Sequence, residues 1–184
     1  MNQDVKDVKE ILLSEAELDE ITTRLAREIE ENYKDSKNLL LLGILKGSII
    51  FMSDLIKKIN LPIQIDFMKV SSYGAGTKTT GKINIILDIH RTDLTELDIL
   101  VVEDIIDSGK TLSYLAEYLK LAGAKTVRTV TLLDKPSRRE VDFMPDFCGA
   151  TIPDEFVVGY GLDYAEKYRT LPYVAILKPE IYNN

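Results

Sequence analysis

One stretch limits what this chain can become: Asp98-Ile99-Leu100-Val101-Val102-Glu103-Asp104-Ile105-Ile106-Asp107-Ser108-Gly109-Lys110-Thr111. Ile99 to Val102 is an unbroken apolar run, the pattern of a strand buried on both faces of a parallel sheet. It leads into two adjacent carboxylates, two isoleucines, a third carboxylate and a Ser-Gly-Lys-Thr turn. Beyond the turn, Leu112, Leu115, Ala116, Leu119 and Ala122 recur at helical spacing. Gly123 then stands where a helix C-terminus takes a left-handed residue. The order strand, loop, helix puts the loop at the carboxyl end of a strand, where open α/β sheets bind ligands.

The loop has a chemical logic. Main-chain N–H groups of Ser108, Gly109, Lys110 and Thr111 fall at a helix N-terminus, where unpaired donors and the macrodipole favour an anion. Gly109 admits close approach of the backbone, and the Ser108 and Thr111 hydroxyls add donors, so the turn reads as a phosphate cup. Glu103 and Asp104 only accept, which suits ribose hydroxyls or a hard cation such as Mg²⁺ rather than phosphate oxygens. Gly109-Lys110-Thr111 also matches the end of a P-loop, but that motif needs a glycine where Asp104 stands. A carboxylate there crowds a polyphosphate, which argues against a nucleotide-triphosphate kinase or ATPase. The plainest alternative is a βα loop with solvated acids, and the full arrangement after a buried strand argues against it.

Val101 to Thr111 resembles the phosphoribosyl-pyrophosphate signature of type I phosphoribosyltransferases, and among these the hypoxanthine-guanine enzymes. The resemblance extends from about Leu39 to Leu177. It implies an α/β fold with a mainly parallel five-stranded sheet flanked by helices, a small hood over the sheet's carboxyl edge, and a mobile loop. On length alone, 184 residues suit a single domain with a substantial core. The expected division is a core of about 36–150, with the hood built from the N-terminal segment and about 151–184.

Along the chain, Ile11-Leu12-Leu13 reads as a short strand or an arm against the body. Ser14-Glu15-Ala16-Glu17 is a capping box, and Leu18, Ile21, Leu25 and Ile29 form one apolar stripe, predicting a helix over 15–33. Leu39 to Leu45 is a second apolar strand, ending in Lys46-Gly47-Ser48 before a helix carrying Ile49, Ile50, Met52, Leu55, Ile56 and Ile59. The resemblance makes Lys46 and Gly47 a main-chain contact for pyrophosphate, with a Lys46–Gly47 peptide that can be cis. Residues 62–70 alternate as a strand, and 82–89 read as a return strand. The small, glycine-rich segment between them, 71–81, suits a lid or binding loop. By resemblance its Ser72-Tyr73 pair closes over the reaction centre and excludes water.

Thr126 to Leu133 is another buried strand, ending in Asp134-Lys135-Pro136-Ser137-Arg138-Arg139. Lys135 stands at a strand's carboxyl end, and the resemblance assigns it to the purine's exocyclic oxygen, favouring a 6-oxopurine over adenine. Arg138 and Arg139 read as surface or subunit contacts. Residues 140–155 read as an irregular connection with apolar anchors, in which Cys148 is packing rather than nucleophile. The resemblance stacks Phe156 on the purine and lets the main chain at Val157 read the base edge. It gives Asp163 a share in a second Mg²⁺ and Arg169 a pyrophosphate contact suited to guanidinium. Pro172 to Leu177 is predicted to be a final strand.

The implied reaction transfers phosphoribose from phosphoribosyl pyrophosphate to hypoxanthine or guanine, giving IMP or GMP and pyrophosphate. Asp107 is the expected general acid/base at the purine, and Mg²⁺, held by Glu103, Asp104 and Asp163, the expected cofactor. Three rivals stay in view: a phosphoribosyltransferase for xanthine, adenine or a pyrimidine; a donor-sensing regulator that binds nucleic acid; and a plain structural module. The net charge of −7 argues against nucleic acid as the main partner. One cysteine fits a reducing compartment, and no run approaches about twenty apolar residues, so a cytoplasmic protein without a membrane span is expected. Relatives in the resembled family imply a homodimer or homotetramer.

Overall fold

The computed structural model describes residues 6–72 and 83–182, with nothing of the Ser72 side chain. The expected loop contact Tyr73 therefore lies outside the described residues. In chain order the elements are β1 (Val8–Leu13), α1 (Glu15–Tyr33), β2 (Leu39–Leu45), α2 (Ile49–Ile56), β3 (Ile63–Ser72), β4 (Ile83–Leu87), β5 (Asp98–Ile106) and α3 (Lys110–Leu121). Then come β6 (Thr126–Asp134), β7 (Phe147–Thr151), β8 (Val157–Val158), β9 (Val174–Leu177) and α4 (Pro179–Tyr182).

β2, apolar along its length, and β5, apolar from Ile99 to Val102, lie in the middle of the main sheet, whose order is β4-β3-β2-β5-β6-β7. β3, β2, β5, β6 and β7 run parallel, while β4 pairs antiparallel with β3. Five parallel strands are thus present as expected, extended by one antiparallel edge strand. One face packs against α1 and α2 through Leu25, Ile29, Phe51 and Leu55. The other packs against α3 through Leu112, Leu115 and Leu119.

Local signals set the helix ends. Ser14 caps α1, with the Glu17 N–H donating to Ser14 Oγ at 3.3 Å and the Ser14 N–H to Glu17 Oε2 at 2.8 Å. Gly123, at φ +96°, closes α3 as its position predicted. The segment 140–155 departs from expectation, since it contains β7 rather than only irregular chain. β7 is held by parallel pairing to β6 and by Arg24 of α1, which donates to the carbonyls of Cys148 and Gly149 at 3.1 and 2.6 Å. A Cβ on Gly149 would lie 2.3 Å from the Leu132 carbonyl oxygen, so the close approach needs glycine. Burial raises the Cys148 thiol above its ordinary pKa, which keeps it protonated.

A second, three-stranded sheet has the order β1-β9-β8, and the chain between β8 and β9 reaches the end of β2, where Glu166 pairs with Lys46. The arm at Ile11 to Leu13 becomes β1 by pairing antiparallel with β9. Its small core joins Val158, Tyr168, Leu171 and Leu177 to Phe156, Tyr164, Tyr173 and Tyr182. Among the described residues, no helix is long and apolar enough to cross a membrane.

Candidate active site

The carboxyl ends of β2, β5 and β6 carry the groups singled out from sequence. β5 runs further than its apolar core implied, pairing with β6 as far as Ile106↔Asp134. Glu103 and Asp104 therefore lie on the strand and not in the loop after it, which fixes their main chain. Burial, reinforced by the Asp104 charge, pushes Glu103 well above the usual carboxylate range. Burial also raises Asp104, opposed by hydrogen bonding from Glu103 and from the Ile105 N–H, which donates to Asp104 Oδ1 at 2.8 Å. Two adjacent half-buried acids lining one cavity repel each other, and that repulsion is what a bound cation or proton would relieve.

After β5 the chain turns through Asp107 and Ser108 to Gly109, the N-cap of α3, at φ +81°. This left-handed cap starts the helix at Lys110 and turns the first N–H groups toward the loop. The Lys110 N–H donates to Ser108 Oγ at 3.3 Å, while its ammonium turns away to pair with Glu140. Only the main chain of Lys110 belongs to the cup.

Gly47 lies against Asp104 so closely that a Cβ there would fall 1.6 Å from Asp104 Oδ2. A Cβ on Gly161 would in turn fall 2.1 Å from the Gly47 carbonyl oxygen. Gly161, Gly47 and the Asp104 side chain thus pack as touching layers with no room for a Cβ on either glycine. The cis peptide allowed at Lys46–Gly47 is instead found one bond earlier, at Leu45–Lys46.

Arg169 reaches this layer from the second sheet's loops. Its Nη2 pairs with Asp163 Oδ1 at 2.9 Å, and its Nη1 donates to the Gly161 carbonyl at 2.8 Å. Asp163 Oδ2 accepts the Glu166 N–H at 2.9 Å, and Glu166 in turn pairs with Lys46 at 2.9 Å. Among the described residues, no three of His, Cys, Asp and Glu gather tightly enough for one metal, so Asp163 stands apart from the Glu103-Asp104 pair.

Two connected cavities open here. One, about 340 Å³, is lined by Lys46, Gly47, Glu103, Thr111 and Arg169 among others. The other, about 610 Å³, is lined by Lys135, Phe156, Val157 and Leu162. They share Asp104, Ile105, Asp107, Ser108 and Asp163. Lys135, 7% exposed, donates to the Glu155 carbonyl at 2.9 Å and lies 3.6 Å from Asp107 Oδ1. Phe156 is stacked on Tyr182 with ring centres 4.8 Å apart, and meets Tyr164 edge-on at 5.6 Å. The main chain of Ser72 pairs with Ile83 at the root of the expected loop.

Sequence reasoning missed three contributors. Tyr182 supports Phe156 from the end of the chain, where no pattern marked it. Asp134 ends the strand buried, directly after Leu132 and Leu133, and a charge in that place was the available signal. Arg139, read as a surface or subunit contact, has its side chain only 13% exposed and is paired with Asp134. Arg138 does stay exposed, with Nε donating to Asp154 at 2.7 Å.

A parallel sheet with a glycine-capped helix, an acid pair and an aromatic wall at its carboxyl edge defines a nucleotide-handling α/β domain. The phosphoribosyl transferase domain profile matches residues 7–165, and the chain belongs to the phosphoribosyl transferase family. It is 52% identical to a hypoxanthine-guanine phosphoribosyltransferase of Lactococcus lactis, over 97% of this chain and 96% of that protein. It is 49% identical to the Bacillus subtilis protein of that name, over 97% and 98%. It is also 51% identical to the bifunctional protein TilS/HprT of Listeria monocytogenes, of which the chain spans 27%. A hypoxanthine phosphoribosyltransferase structure from Staphylococcus aureus superposes with a TM-score of 0.93 at 48% identity, over all of both chains.

Proposed function

We propose that this chain is a purine-salvage enzyme that transfers the 5-phosphoribosyl group of phosphoribosyl pyrophosphate to hypoxanthine or guanine, forming IMP or GMP. The observation that carries the proposal is the junction of the two cavities. An anion cup, an acid pair and a guanidinium line one, an ammonium and an aromatic ring line the other, and Asp107 lies where they meet. A donor rich in phosphate suits the first and a planar, oxygen-bearing base the second.

In this reading Ser108 to Thr111 bind the 5′-phosphate, and Glu103 and Asp104 the ribose hydroxyls. Gly47, Lys46 and Arg169 bind the pyrophosphate. Phe156 stacks on the base, Lys135 donates to its 6-oxygen, and the main chain at Val157 reads its edge. Ser72 and Tyr73 belong to the loop that closes over the centre. Asp107 manages the proton at N7 as N9 attacks the anomeric carbon and the bond to pyrophosphate breaks. Rate enhancement comes from orientation and from charges fixed before reaction.

Phosphoribosyltransferases generally use a divalent metal, and the donor set fits one. Glu103 and Asp104 are hard oxygen ligands whose mutual repulsion a cation relieves, and Asp163 offers a separate carboxylate. Mg²⁺ bound there supplies neutralisation of the leaving pyrophosphate. We further assign the protein to the cytoplasm and to a homodimer or homotetramer.

The test offers hypoxanthine, guanine, xanthine, adenine, uracil and orotate separately, with phosphoribosyl pyrophosphate and Mg²⁺, and follows nucleotide formation. Product from the first two and none from adenine is expected. A folded enzyme that binds the donor yet converts no base refutes the proposal and favours a sensor.

A further inference from the structure

The loop carrying Asp107 is held by three successive carbonyls, each reaching the segment after β6. The Ile106 carbonyl accepts from the Lys135 N–H at 3.0 Å, and the Ser108 carbonyl from the Glu140 N–H at 3.0 Å. The middle carbonyl, of Asp107, accepts instead from a side chain, Arg139 Nη1, at 2.7 Å. The other arm of that guanidinium pairs with the Asp134 carboxylate, itself only 5% exposed. The aliphatic part of Arg139 lies under Gly109, where an added Cβ would sit 3.0 Å from Arg139 Cδ.

A trans peptide is planar, so the N–H of each residue points opposite to the carbonyl before it. Fixing the Asp107 carbonyl on one side therefore fixes the Ser108 N–H on the other, toward the anion cup. It also sets the main-chain angles from which the Asp107 side chain departs. We infer that Arg139, oriented by Asp134, is a positioning residue that aims the Ser108 N–H at the 5′-phosphate and holds Asp107 beside the base. The neighbouring turn supports this geometry, because Pro136 starts a one-turn 3₁₀ helix over Pro136–Arg138 that brings Arg139 back under the loop.

The inference rests on the proposed phosphoribosyl transfer, and the test separates the two. Wild type, Arg139→Lys and Arg139→Gln are compared by donor affinity from calorimetry, by turnover with hypoxanthine, and by binding of IMP and inosine. IMP and inosine differ only in the 5′-phosphate, so their affinity ratio reports the cup and is insensitive to a simple loss of stability. Lysine keeps the charge opposite Asp134 but cannot fork to both partners. It carries the test if the glutamine variant does not fold. Both variants should lose about tenfold in donor affinity and in the IMP-to-inosine ratio, a change expected from one charge-assisted hydrogen bond. Turnover should fall as well, and the KM for hypoxanthine should move less than about twofold. A folded Arg139→Lys enzyme with donor affinity, ratio and turnover all within about twofold of wild type overturns the inference. A wild type that binds neither donor nor IMP refutes the proposed function itself.

Discussion

Replacing Gly161 by alanine tests whether the close packing of Gly161, Gly47 and Asp104 belongs to the active site or merely to the fold. Gly161 has φ +104°, and its added Cβ would lie 2.1 Å from the Gly47 carbonyl oxygen and 3.2 Å from its carbonyl carbon. The left-handed backbone costs about 1–2 kcal/mol for an L-residue. Relieving the overlap costs about 1–3 kcal/mol more, through a shift of roughly 1 Å. The total of about 2–5 kcal/mol lowers Tm by about 2–4 °C per kcal/mol in a chain this size. Gly47 is itself crowded by Asp104, whose Oδ2 lies 1.6 Å from where a Gly47 Cβ would be, so it has little room to shift. The layers must therefore separate, moving either Gly47 or the turn that carries Arg169. A misplacement of about 1 Å costs about a hundredfold in catalysis, so kcat/KM for the donor should fall by that order, with a smaller change in the KM for the base. Gly123→Ala is the control. Gly123 has φ +96°, but its nearest neighbour to an added Cβ is Thr95 Cγ2 at 3.7 Å, far from both cavities. That variant should lose only the backbone contribution and keep wild-type kinetics. Thermal melts and initial rates on both proteins decide the matter. If Gly161→Ala melts earlier yet keeps donor kinetics within about twofold, the layers are structural only.

Elements carried by local pattern were legible in the sequence, and those made by distant partners were not. The α1 capping box, the stripes of α1 and α3, and the apolar runs of β2 and β5 each follow from residues close in the chain. β7 has a glycine at its centre and gains its conformation from β6 beside it and Arg24 above it. No periodicity in five residues could announce that. The extension of β5 past Val102 has the same origin, since Glu103 and Asp104 read as loop until β6 supplies hydrogen-bonding partners. For the site, position was readable because three strands with apolar runs, β2, β5 and β6, are each followed by polar chemistry. Contacts were not. Arg139 sits in a cluster of cations, Lys135, Arg138 and Arg139, that composition alone marks as solvated. Only the 3₁₀ turn at Pro136–Arg138 sends one of the two arginines inward to Asp134 and leaves the other on the surface.

Asp107→Asn should lower turnover about a hundredfold or more while donor affinity stays unchanged; near-normal turnover removes Asp107 from the chemistry. Asp98 bears on stability alone. Burial raises its pKa, but hydrogen bonds from Ser36 and Thr126 and the Lys125 ammonium outweigh that, and the net shift is downward. Its contribution is therefore present above the unfolded value of about 3.9 and lost as pH falls through the lower folded value. Asp98→Asn should flatten the acid limb of Tm against pH, and an unaltered limb contradicts the assignment. Lys135→Gln tests base choice. The ammonium has three donors and no acceptor; one is given to the Glu155 carbonyl, and Asp107 lies 3.6 Å away. A base must therefore present an acceptor to what remains, which a 6-oxopurine does and the adenine amino group does not. Glutamine can still donate to Glu155, yet it also offers a carbonyl that accepts from an amino group. Leaving a buried donor unpaired costs about 1–3 kcal/mol, equivalent to about 5- to 150-fold in discrimination. The ratio of kcat/KM for hypoxanthine over adenine should fall by about 5- to 150-fold in the variant. An unchanged ratio would show that Lys135 does not read the base, and would transfer that role to the main chain around Val157.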